Sequence, residues 1–128
     1  MARLEDARNA RIGSYHANAG TKMLQQKGYQ VVVSVNHEAS LRNLMAGRLD
    51  YWLAGRYTAL ALIANANALD KVVPALVVDQ FPMYLACNPQ TNELTLKKLE
   101  AAFQQLSQDG TFVAIDKHYD NWLPSRGR

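Results

Sequence analysis

HEASLRNLMAGRLDYWLAG, residues 37–55, decides how this 128-residue chain is read. Leu41, Leu44 and Met45 recur at the i, i+3, i+4 spacing of one helical face. Gly47 stands where a helix ends in a left-handed residue, and residues 49–53 run on as a short apolar strand. A helix delivered into a strand by a glycine turn is a unit of an α/β fold. Further on, QDGTFVAIDKHYDNWL, residues 108–123, opens with a turn and cap at Asp109-Gly110-Thr111. Phe112, Ile115 and Tyr119 then fall on one helical face.

Outward from residues 37–55 the two periodicities alternate. Residues 11–15 form a short strand that opens into the loop SYHANAG, residues 14–20. In that loop Asn18 can cap a helix over 19–27, ended by Gly28. Residues 30–35, QVVVSV, are β-branched almost throughout, as in a strand covered on both faces. Residues 56–68 are Ala-rich, with Tyr57, Leu60 and Ile63 at helical spacing. Residues 72–78 and 83–87 read as further strands, separated by a turn at Phe81-Pro82. Units of this length imply a mostly parallel sheet with right-handed crossovers, here of about five strands.

After Asn88-Pro89 the character changes. Leu96, Leu99, Phe103 and Leu106 mark one helix, the Asp-Gly-Thr turn breaks it, and a second helix reaches Trp122 before Pro124. Two consecutive helices without a strand cannot extend the sheet. The expected organisation is an N-terminal extension over 1–10, an α/β lobe over 11–88 and a C-terminal helical tail over 89–128.

Composition narrows the function classes. At 48% hydrophobic, the chain can bury the core of one domain. The net charge of +3 resides largely near the ends, at Arg3, Arg8, Arg11, Arg126 and Arg128. No basic stripe interleaved with aromatics marks a nucleic-acid surface. Cys87 is the single cysteine, which excludes an intrachain disulfide and a cysteine metal cluster; its apolar neighbours predict a buried small hydrophobe. The N-terminal MARLEDARNARIG has charges where a signal peptide needs an apolar centre. No run reaches the ~18 apolar residues of a membrane span.

The two quoted segments resemble the helix–GR–D–strand and DGT–aromatic–helix–Trp signatures of extracellular solute-binding proteins of family 3, which serve polar amino-acid transporters. The resemblance covers most of residues 11–123 and begins in the middle of that family's fold. It implies a periplasmic-binding-protein-like type II lobe plus the C-terminal helices, without the first lobe. It also implies a periplasmic location and non-catalytic capture of a small polar or anionic solute for a membrane permease or sensor. No cofactor follows from it. The tail would pack on the other lobe, so the lobe alone is expected to form a homodimer through its C-terminal helices. The alternative is a binding-null interaction domain that keeps the fold.

Site candidates follow the strand ends, where such sheets bind ligands. In the resembling family the loop after the first strand holds a ligand carboxylate through a small residue and backbone amides. Asn18, Ala19 and Gly20 occupy that place, and a helix N-terminus attracts anions; Asn18 can equally serve only as a helix cap. The family usually carries an Asp for the ligand ammonium at the end of the third strand. Here that place holds Gly55, followed by Arg56, so an anionic contact is expected. His16 can touch a ligand or stand as an exposed loop histidine. His37 is expected in a helix first turn and His118 on a solvated face, with no metal spacing. Tyr51 and Trp52 point to opposite sheet faces, and one ring can lie near the cleft. Asp50 is assigned to a turn away from it. No serine has a nucleophile-elbow context, and the acidic residues of a phosphoacceptor receiver are missing. An enzyme is not expected.

Overall fold

The computed structural model describes residues 3–122, and the chain divides into two compact units, Met1–Gln80 and Phe81–Arg128. The first opens with a 3-10 turn over Leu4–Ala7. It continues through β1 (Ile12–Tyr15), α1 (Ala19–Gln26), β2 (Val31–Ser34), α2 (His37–Met45), β3 (Tyr51–Trp52) and α3 (Arg56–Asn65). The strands pair in the order β2-β1-β3, all parallel, with Ile12 opposite both Val31 and Tyr51. This unit is a mixed α/β structure.

The sheet has three strands among the described residues, where about five were expected. Residues 72–78 and 83–87 carry no regular structure. Pro74 removes a ladder donor from the first of these runs. Val73, Val77, Met83, Tyr84 and Leu85 are exposed. β-branched composition makes a segment fit a pleated surface, but it does not supply a neighbour. The same shortfall corrects the reading of residues 30–35. Among the described residues β1 is the only partner of β2, which therefore lies at the sheet edge, and Val32 and Val33 are exposed rather than covered on both faces. Cys87, expected to be buried, is exposed because the strand that would have buried it does not form. α3 stops at Asn65, short of residue 68.

Two hydrophobic clusters cover the two faces of the sheet. Ile12, Leu24 and Tyr29 form one with Ala7, and Leu41, Ile63 and Ala68 form the other. Tyr51 packs on the first and its neighbour Trp52 on the second, as strand alternation requires. α1 thus covers one face, and α2 and α3 the other. Ala7, in the segment read as an extension, is part of the core. At the amino ends of the strands, Arg11 clamps Asp50. Its Nη2 donates to Oδ1 at 2.8 Å, its Nε to Oδ2 at 3.1 Å and its backbone N–H to Oδ2 at 2.8 Å. The Arg11 side chain, then its backbone N–H, draw the Asp50 carboxyl down to about 2. Gly47, at φ +70°, makes the left-handed turn before this clamp.

The second unit contains α4 (Glu93–Gln108) and α5 (Thr111–Trp122). Asn92 Oδ1 accepts from the Leu94 N–H at 2.8 Å and Asp109 Oδ1 from the Thr111 N–H at 2.9 Å, so each helix has a side-chain cap. The Phe103 and Phe112 rings meet at 4.9 Å across the turn. Pro124 and the Trp122 side chain, read as the stop and a buried anchor of the tail, lie outside what is described.

Candidate functional site

The carboxyl end of β1 is held by buried hydroxyls. Thr21 Oγ1 donates to the Tyr15 carbonyl at 2.9 Å, and Ser14 Oγ lies 2.6 Å from Thr21 Oγ1. Because the Thr21 proton is spent on Tyr15, Ser14 is the donor in the second bond. The first turn of α1 is thereby pinned to the strand that precedes it. Asn18 caps this helix, its Oδ1 accepting from the Gly20 N–H at 2.9 Å. That bond occupies a backbone donor of the loop read as a carboxylate site. Gly20 is buried, and a Cβ on it would stand 2.7 Å from Leu53 Cδ2. The loop after β1 therefore packs on the end of β3, where a side chain at Gly20 would require Leu53 to shift.

Gly55 caps α3 and is exposed, as are Ala19 and Arg56. A Cβ on Gly55 would meet only Thr58 Oγ1, at the ordinary contact distance of 3.9 Å. Space does not forbid a side chain there, so the missing carboxylate is a difference in chemistry rather than a steric requirement. The Arg56 guanidinium lies 5.6 Å from the Tyr57 ring centroid.

An open cleft of about 480 Å³ lies beside these loops. Tyr15 and His16 wall it from the end of β1, Val35 and Asn36 from the end of β2, and His37 and Glu38 from the start of α2. Thr58, Ala61 and Leu62 of α3 complete it. A row of rings passes along it: Tyr15 lies 4.6 Å from His16 and 5.0 Å from His37, and His37 lies 5.8 Å from Trp52. Burial pushes the His37 imidazole below its ordinary range, with Glu38 opposing that shift. Its Nδ1 is buried without a hydrogen-bond partner among the described residues. Protonation would place an unsatisfied N–H there, since imidazolium donates from both nitrogens.

Of the six residues singled out in the sequence, only His16 lines this cleft. Asn18, Ala19 and Gly20 cluster with Leu53 at the neighbouring strand ends, and Gly55 and Arg56 begin α3. Tyr15, Asn36, His37 and Glu38 were missed. A signal for them existed: in a parallel pair, the residues that follow β2 emerge beside those that follow β1. The sequence reading placed His37 in a helix first turn correctly, but looked for ligands only after the first and third strands. Compared with protein-family models, curated proteins and solved structures, the chain matches none. The site's own geometry carries the functional argument.

Proposed function

We propose that this chain is a lobe of the periplasmic-binding-protein-like type II kind, capturing a small polar or anionic, amino-acid-like solute without chemical turnover. The observation that carries the reading is the cleft at the carboxyl ends of a parallel sheet. Open α/β sheets bind ligands at that edge. β1 and β3 are neighbours whose following helices leave on opposite faces, the arrangement that opens a crevice between strand ends. The resemblance of residues 37–55 and 108–123 supplies the rest of the proposal: a periplasmic setting and handover to a permease or sensor. In this reading the first turn of α1 and Arg56, which lie outside the lining of the cleft, offer the positive side to an anionic group.

The test is a melting-temperature screen over amino acids and small carboxylates. A solute at about 100 times its Kd adds ~2.7 kcal/mol to stability, enough to move the transition visibly. At least one member of the panel should raise it. A flat panel would favour the second reading, a domain that keeps the fold and binds no solute. Two observations favour that reading: the Gly20 N–H is already satisfied by Asn18, and Gly55 brings no carboxylate. Pairing of two copies through the C-terminal helices is proposed with either reading, because Leu99, Phe103 and Ile115 are exposed. Light scattering that returns a stable 14.3 kDa species would refute it.

A further inference from the structure

We infer that the cleft beside β1 and α2 receives the cationic end of its solute, a small organic amine with an apolar body, with Glu38 as the counter-charge. The inference rests on the reading of this chain as a solute-capturing lobe, and adds a polarity that the sequence did not suggest. Glu38 is the one carboxylate lining the cleft, and no Lys or Arg lines it. Glu38 forms no ion pair among the described residues.

The start of α2 pulls the other way, because a helix N-terminus favours anions. Its dipole amounts to about half an elementary charge, and Asn36 Oδ1 already takes up the Ala39 N–H at 2.8 Å. A full carboxylate charge on Glu38 outweighs that remainder. The walls agree. Tyr15 presents an aromatic ring, which attracts cations through its quadrupole. His37 adds a second ring, with its Nδ1 sealed away from any occupant. Ala61 and Leu62 form an apolar side for the body of the solute. The volume of about 480 Å³ suits one small molecule.

The experiment is isothermal titration of the full chain with phenethylamine and with 3-phenylpropionate, which share the apolar body and differ in charge. Phenethylamine should bind more tightly to the native protein. Glu38→Gln should weaken it by about two- to fivefold, the worth of an exposed ion pair, and leave 3-phenylpropionate unweakened. Thr58→Lys, which adds an ammonium to the cleft wall, should also weaken the amine and improve the carboxylate. Preference for 3-phenylpropionate, or an amine affinity indifferent to both substitutions, would overturn the inference. So would the absence of any saturable amine binding. The parent reading fails separately. If phenethylamine binds through Glu38 while no amino acid or carboxylate shifts the melting temperature, the cation site stands and amino-acid-like capture does not.

Discussion

In the first unit Ser14, Leu24 and Ser40 are wholly withdrawn from solvent, whereas no described side chain between Phe81 and Asp120 is buried. The two regions are ordered by different physics. The α/β unit is held by contacts between residues far apart in sequence: Leu24 on Ile12, Gly20 on Leu53, Asp50 on Arg11. The helical unit is held by neighbours: a cap at each helix start, a Glu93–Lys97 pair one turn apart and a ring contact across the turn. Substitutions should therefore be costly in the first region and mild in the second. The largest expected contrast is between Leu24→Ala and Phe103→Ala. Leu24 is 1% exposed, and truncating such a side chain costs about 2–5 kcal/mol. Phe103 is 64% exposed, and in a chain not paired with a second copy its truncation should stay within ~1 kcal/mol. Urea unfolding of both variants measures the difference; equal losses would break the comparison.

The next contrast lies inside the first unit, at the hydroxyls that pin α1 to β1. Thr21→Val keeps the shape of the side chain but leaves the Ser14 hydroxyl without its acceptor, while the Tyr15 carbonyl keeps the Asn18 N–H at 3.0 Å. Leaving a buried donor unsatisfied costs about 1–3 kcal/mol. Thr21→Ser restores the hydroxyl and should recover most of that loss. If Val and Ser behave alike in urea, the hydroxyl chain contributes no stability and α1 is held by apolar packing alone.

This division also explains what was legible in the sequence. Local signals were: the spacing of Leu41 and Leu44, the left-handed Gly47, the Asn18 cap and the Asp109-Gly110-Thr111 turn each describe a few adjacent residues, and the elements they mark are present. Pairing was not. Residues 72–78 have strand composition, yet a strand exists only where a neighbouring edge accepts its hydrogen bonds, and Pro74 weakens that ladder. Most of the cleft's lining was missed for the same reason. Tyr15 ends β1 while His37 and Glu38 begin α2, and only the β2-β1-β3 order brings the two elements' ends to one place. Arg11 and Asp50 were each visible, but their clamp required knowing that β1 and β3 start side by side.

A smaller effect is expected from pH at the cleft. His37 has its pKa lowered from 6.5 in the folded chain, mainly by desolvation, against an opposing attraction from Glu38. The unfolded chain then takes up a proton more readily than the folded one. The stability tied to a neutral His37 is fully present above pH 6.5 and is lost as pH falls through its lower folded value. Asp50 stays ionised until far lower pH because Arg11 holds its carboxyl down to about 2. Denaturant midpoints measured on either side of 6.5 should show the native protein losing stability on acidification, and His37→Gln losing less. Parallel slopes would remove His37 from the account.

The smallest effect tests whether the helical unit depends on neighbours alone. Glu93 Oε1 accepts from Lys97 Nζ at 2.8 Å, one turn apart, with both side chains largely exposed. Glu93 also stands in the first turn of α4, where a negative charge faces the positive end of the helix dipole. An exposed i, i+4 pair of this polarity contributes about 0.3–0.5 kcal/mol, and salt screens it. Glu93→Gln should therefore lower helicity slightly at low ionic strength, and the difference should vanish in high salt. Lys97→Gln should do less, because it removes the pair but leaves the Glu93 charge on the dipole. Circular dichroism of the two variants across a salt series separates the terms. If Lys97→Gln costs more than Glu93→Gln, or if either loss persists in high salt, the side chains of α4 act through contacts beyond the next turn, and the hairpin is not the locally determined half of this comparison.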